Sequence, residues 1–152
     1  MEMHGELRIA APREQVWERL NDPETLKICI PGCQTVERTS DNEFTAKVVA
    51  KVGPVKATFN GKVTLSDLNP PAGYTISGEG TGGVAGFAKG SATVALEEDG
   101  AETILRYGVN AQVGGKLAQI GSRLVDATAR KMSDEFFKSF VGAVTGNGGA
   151  PG

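Results

Sequence analysis

One histidine, His4, and two cysteines, Cys29 and Cys33, are all that 152 residues offer of the commonest bases, thiol nucleophiles and soft metal ligands. The cysteines stand in the run CIPGC. That C-x3-C spacing differs from the C-x-x-C of redox motifs, and no second pair completes a zinc site. Both are expected to be reduced, small buried hydrophobes, with Pro31-Gly32 between them reading as a turn. No nucleophile elbow and no H-E-x-x-H motif occurs, so no catalytic set and no metal site are expected. The run GEGTGG, from Gly78 to Gly83, lacks the Lys-Ser/Thr of a phosphate-binding loop and leads into a strand rather than a helix. Glu79 is its one carboxylate, and alternation turns it outward. No segment approaches the roughly 20 apolar residues of a membrane span. Charge of neither sign is in excess: 16 Lys and Arg against 18 Asp and Glu leave a formal net charge of -2. That excludes the strongly basic face of a general nucleic-acid binder. The opening run MEMHGELRIAAP has acidic residues and no apolar core of a signal peptide, so a cytoplasmic location is the expectation.

Glycine, in contrast, is plentiful, with 21 residues in a few clusters. Their setting follows from the hydrophobic period. Glu2 to Ile9 alternates as a strand. Pro12 opens a short helix carrying Val16, Trp17 and Leu20 on one face, and Asn21-Asp22-Pro23 ends it and begins a second, with Leu26, Cys29 and Ile30 inward. From about Gln34 to Val113 the period becomes two. Phe44 to Val52, Val55 to Leu65, Tyr74 to Ile76, Ala88 to Leu96 and Leu105 to Val113 each alternate apolar and polar residues, as strands wet on one face do. A single long helix is expected from Gly115 to Val141, with Leu117, Ile120, Leu124, Val125, Thr128, Met132, Phe136 and Phe140 on its apolar face. Gly121-Ser122 interrupts its middle. The order predicts an α+β helix-grip fold: a curved seven-stranded antiparallel sheet wrapped around the long C-terminal helix, with two short helices after the first strand. Residues 1–141 form that domain, and 142–152 read as a flexible glycine-rich tail.

Two features point to function. The inward positions of the sheet are poor in bulk: Ala46, Ala50, Ala57, Gly61, Gly78, Gly80, Ala88, Gly90, Ala92 and Ala111. Either the glycines bend the sheet and let the helix lie close, or the missing volume is a cavity for a hydrophobic molecule. The expected lining is Phe59, Val63, Tyr74, Ile76, Phe87, Val94, Tyr107, Val109, Leu117, Ile120 and Leu124. The ends of the sheet also differ. One carries Ser40 to Glu43, Ser66 to Pro71 and Glu97 to Gly100, and is acidic. The other carries Val52 to Val55, Thr81 to Phe87 and Val113 to Gly115, and is glycine-rich and apolar. Val55, Val84 and Phe87, with Lys51, Lys56, Lys89 and Lys116 around them, form the expected mouth and docking surface for a membrane or an acidic partner.

The runs MEMHGELRI, VWERLNDPETLKICIPGC, KVGPVKATFNGKVTLSDLNPP, GYTISGEGTGGVAGFAKGSA and VGGKLAQIGSRLVDATARKMSDEFF resemble the CoxG family of carbon monoxide dehydrogenase, within the START-like (SRPBCC) helix-grip superfamily. The resemblance extends to about Phe140. It implies an accessory protein, not an enzyme, partnered with a molybdenum-containing hydroxylase of the carbon monoxide dehydrogenase type and assisting its recruitment to the membrane or its maturation. Some members carry a C-terminal membrane-directed extension. This chain ends in a short glycine-rich tail, so anchoring by that route is not expected. Joined to the cavity, the resemblance suggests a bound quinone or other lipid as ligand, no cofactor, and a peripheral contact with the inner face of the cell membrane. The alternatives are an adaptor or maturation factor with an incidental cavity, and a cyclase- or aromatase-like enzyme.

Overall fold

The computed structural model describes residues 1–146. Strand β1 (Glu2–Ile9) leads through Pro12 into helices α1 (Arg13–Leu20) and α2 (Pro23–Cys29). Asp22 caps α2: its carboxylate accepts from the Glu24 backbone N–H and from the Thr25 hydroxyl. The meander follows as β2 (Cys33–Ser40), β3 (Glu43–Val52), β4 (Val55–Asn69), β5 (Gly73–Thr81), β6 (Phe87–Asp99) and β7 (Glu102–Gly114). All seven strands make one antiparallel sheet in the order β1-β7-β6-β5-β4-β3-β2. The expected helix-grip architecture is what the chain adopts.

The long helix is not continuous. A single turn, α3 (Lys116–Gln119), is followed by Ile120 and Gly121, and α4 runs from Ser122 to Thr145. Gly121 has φ +97, a conformation costly for any residue with a Cβ, and it ends one helix before the next begins. Helix α4 extends four residues past the expected Val141 boundary and stops at Gly146, with φ +76. The remainder of the expected tail, 147–152, lies outside the described residues.

The core is concentrated at the acidic end. Ile9, Val16, Leu20, Phe44, Leu65, Tyr74, Leu96, Leu105, Phe140 and Val144 are buried together there. Side-chain size explains the placement. Along β6 the inward residues shrink from Leu96 through Val94 and Ala92 to Gly90 and Ala88. Along β5 they shrink from Tyr74 through Ile76 to Gly78 and Gly80. Register aligns these gradients. Tyr74 pairs with Val94 and Val94 with Tyr107, whereas Ala46, Gly61, Gly80 and Ala88 are successive partners across four strands. The bulky rows meet the C-terminal part of α4, and the small rows leave space beneath its N-terminal part.

Candidate functional site

That space forms two chambers between sheet and helix. The inner one, about 370 Å³, is walled by Val63, Leu65, Tyr74, Ile76, Ala92, Val94, Leu105, Tyr107 and Val109 from the sheet, by Leu26 and Ile30 from the α2 region, and by Met132, Ser133, Phe136 and Phe137 from α4. The outer one, about 690 Å³, lies toward the glycine-rich end between Ala50, Val52, Phe59, Ala88, Ala111 and Val113 below and Leu117, Val125, Ala129 and Met132 above. Met132 lines both, so the chambers adjoin under one flexible side chain.

The inner chamber carries no carboxylate, imidazole, lysine or arginine among its lining side chains. Its far wall is aromatic. Tyr107 stacks on Phe137 at 4.7 Å between centroids, and Phe136 meets Phe137 edge-on at 5.1 Å. Tyr107 leans over β1 at Gly5, where any Cβ would collide with its ring. Tyr74 is 5% exposed and meets Trp17 edge-on at 5.0 Å. Burial pushes its hydroxyl far above the usual phenol range, so it is a neutral donor at any ordinary pH.

The two readings of the glycines separate by position. A Cβ on Gly90 would collide with the Asn110 carbonyl of β7, so Gly90 serves the backbone. At Gly61, Gly78 and Gly80 the nearest atoms to an added Cβ stand at 3.6, 3.4 and 3.7 Å, ordinary contacts. The backbone does not require glycine there, and what these residues provide is volume.

Of the expected lining, Val63, Tyr74, Ile76, Val94, Tyr107 and Val109 wall the inner chamber, and Phe59 and Leu117 the outer. Three residues stand elsewhere. Phe87 follows the period of two: Ala88 faces inward, so Phe87 faces out, with its ring over Gly114. Ile120 sits in the break before Gly121, which resets the helical phase, and lines neither chamber. Leu124, in the new phase, is 39% exposed, and its side chain reaches Gly53 in the β3–β4 turn. The same reset turns Asp126, expected on the polar face, to the outer chamber. Sequence reasoning misses Met132, Ser133, Phe136 and Phe137 as lining. Their i, i+1, i+4, i+5 spacing is the signal, a broad apolar face matched to a concave sheet.

At the glycine-rich end, Val84 is 85% exposed on a one-turn 3-10 segment, Gly83–Ala85, and Phe87 is 43% exposed beside it. Val55 closes the β3–β4 turn opposite Val52. Lys51, Lys56 and Lys116 are exposed around this end. Lys89 is not part of the rim. It lies on the outer face of the sheet opposite Glu79, in a polar groove with Lys62, Ser77 and Ser91, because the residue after inward Ala88 must point outward. The ion pairs of the described residues gather elsewhere. Arg8 binds Asp99 and Glu102, Arg106 binds Glu6 and Glu97, and Arg13 approaches Glu98. None of the four lysines makes an ion pair among the described residues. Nor does any group of histidine, cysteine, aspartate and glutamate there have the arrangement of a metal site.

The sequence profile of CoxG, described as the G-type subunit of carbon monoxide dehydrogenase, matches residues 5–145. The chain belongs to that family. CoxG proteins are accessory subunits, and the cavity described above is thus a feature of a CoxG member with a START-like fold. A crystal structure of a conserved protein from Geobacillus kaustophilus is similar to this CoxG chain over 95% of each, with 29% identity and a TM-score of 0.88. A START superfamily protein from Mycobacterium smegmatis shares the fold at 14% identity, with a TM-score of 0.71 over 95% of this chain and 97% of that one. So does the Zhui aromatase/cyclase from Streptomyces sp. R1128, at 15% identity and a TM-score of 0.67 over 95% and 93%. No curated protein gives a match. No helix of the described residues is long and apolar enough to cross a membrane.

Proposed function

We propose that this protein carries a neutral hydrophobic molecule, a membrane quinone in the sharpest form of the reading, in the sheet–helix cavity, and that it serves a molybdenum-containing hydroxylase of the carbon monoxide dehydrogenase type. The observation that carries the reading is the inner chamber, with its aromatic wall and its lack of ionisable groups apart from the two tyrosines. Such a lining rewards burial of apolar surface, at about 25 cal/mol per Å², and penalises a charged ligand. It also offers no acid–base pair poised near neutral pH, which favours carriage over turnover. Family membership supplies the enzyme served. Electrons leaving a hydroxylase need an acceptor, and a quinone drawn from the membrane is one.

The apolar tip at Val84 and the lysines Lys51, Lys56 and Lys116 support loading at the inner face of the cell membrane. Full burial of a valine side chain contributes about 1.5–3 kcal/mol, and each lysine near an anionic surface about 1 kcal/mol. Lipid extraction and mass spectrometry of the purified protein test the proposal. An isoprenoid quinone is expected in the extract. A protein that binds the hydroxylase with no lipid, even after incubation with membranes, would leave an adaptor role instead.

A further inference from the structure

Tyr74 poses a question that packing does not answer. It lies in the core, 5% exposed, where phenylalanine would fill the same space without a polar atom to desolvate. Its hydroxyl makes no hydrogen bond to any other group of the described protein. Leaving a buried hydroxyl unpaired costs about 1–3 kcal/mol, and native cores rarely accept that without a reason. The residue lines the inner chamber. The side chains around that chamber that carry any polar atom are few. Asn21 is already committed through its amide to the Trp17 carbonyl, and Ser133 turns to the sulfur of Met3.

We infer that the Tyr74 hydroxyl is the hydrogen-bond donor for a carbonyl oxygen on a neutral, flat-ringed ligand, which enters the cavity ring first and leaves its apolar tail in the outer chamber. The inference rests on the carrier reading and specifies the ligand's chemistry and orientation. A carbonyl accepts from a phenol that stays protonated. The Tyr107–Phe137 stack offers the same chamber an aromatic wall for a ring. A carboxylate or phosphate head would find no cation in the inner chamber. The outer chamber, larger and continuous past Met132, suits a chain.

Trp17 supplies the readout, because it is the one tryptophan and its ring meets Tyr74. The full chain is titrated with a decyl-substituted benzoquinone, with decylbenzene and with decanoate, using Trp17 quenching and, for the two non-quenching probes, competition against the quinone. The quinone is expected to bind best. Tyr74→Phe should weaken it about threefold to tenfold, the worth of one hydrogen bond, and leave decylbenzene unchanged. In the parent, the carbonyl stretch of the bound quinone should move to lower wavenumber, a measurement that needs no variant. Equal quinone affinity in parent and Tyr74→Phe, an unshifted carbonyl stretch, or a preference for decanoate would overturn the inference while leaving a hydrophobic carrier standing. A parent that takes up none of the three probes would overturn the carrier reading itself.

Discussion

Lys51 stands directly opposite Lys56 across the β3–β4 pair, one step from the turn at Gly53-Pro54, and neither has an acidic partner among the described residues. Like charges in direct cross-strand register destabilise a sheet, by a fraction of a kcal/mol to about 1 kcal/mol. Replacing one of them should therefore reveal what the pair is for. Lys56→Glu is expected to raise the urea midpoint slightly while weakening binding to anionic vesicles, most visibly at low salt. Val84→Asp combined with Phe87→Ser should abolish vesicle binding at all salt concentrations, with the domain still folded. Unaltered vesicle binding in both variants would place docking on another surface.

Two glycines of neighbouring strands should respond in opposite ways. Gly80→Val adds a side chain where only open cavity receives it, at a position of ordinary φ. Its stability should hold or rise by about 0.5–1 kcal/mol, while uptake of a hydrophobic probe falls. Gly90→Ala drives a methyl into the backbone of β7 and should cost about 1–3 kcal/mol. Denaturation midpoints and probe titrations on the same two proteins check both halves. Undiminished uptake by a folded Gly80→Val protein would count against this end of the cavity as the site.

Cys29 is buried and Cys33 half-buried, both are free thiols, and desolvation raises the pKa of each above the ordinary thiol value. The thiolate is the reactive form, so both should react slowly with a thiol reagent at pH 7 in the native protein and rapidly in urea. Cys29→Ala is expected to cost about 1 kcal/mol through lost packing. Neither it nor Cys33→Ala should alter probe uptake. Prompt reaction of both native thiols, or loss of uptake in a folded variant, would give these cysteines a role beyond structure.

Tyr74 also makes a prediction about pH. Burial raises its pKa in the folded state, so the folded protein resists losing that proton while the unfolded chain releases it near the ordinary phenol value of about 10. Its contribution to stability is full below about pH 10 and is lost as pH rises beyond it, with a limiting slope near 1.4 kcal/mol per pH unit. Unfolding midpoints taken from pH 9 to 11.5 should decline more steeply in the parent than in Tyr74→Phe. Parallel curves would mean that the folded protein lets Tyr74 ionise.

The sheet is readable in the sequence because each strand alternates over enough residues to fix its face. Val63, Ile76, Val94 and Val109 follow from that alternation alone. Phe87 is legible by the same rule, and only its apolar side chain in a glycine-rich stretch suggests a lining. The helix is harder. A glycine inside an apolar period is compatible with a continuous helix, and only the φ of Gly121 shows that the phase restarts there. Ile120, Leu124 and Asp126 flank that break, and a phase carried through it puts each on the wrong side. The adjoining chambers depend on how far α4 stands off the sheet, and that distance is set by Phe140 and Val144 at its other end, which no local pattern reveals.

Helix α4 is secured unevenly. Its three buried positions, Phe140, Gly142 and Val144, all fall in the last six residues, where the Gln15 side chain also donates to the Val144 carbonyl. The first eighteen residues, Ser122 to Ser139, contain none. The helix is therefore a lever fixed at one end. At 1.5 Å per residue its unsecured arm is about 27 Å long. A tilt of about 5° about Phe140 would displace Ser122 by about 2.4 Å, more than the radius of a methyl group, without breaking a hydrogen bond of the sheet or disturbing the buried cluster. Widening the outer chamber thus draws on rigid-body rotation rather than unfolding, and the bulk of a cargo translates into an angle of one helix.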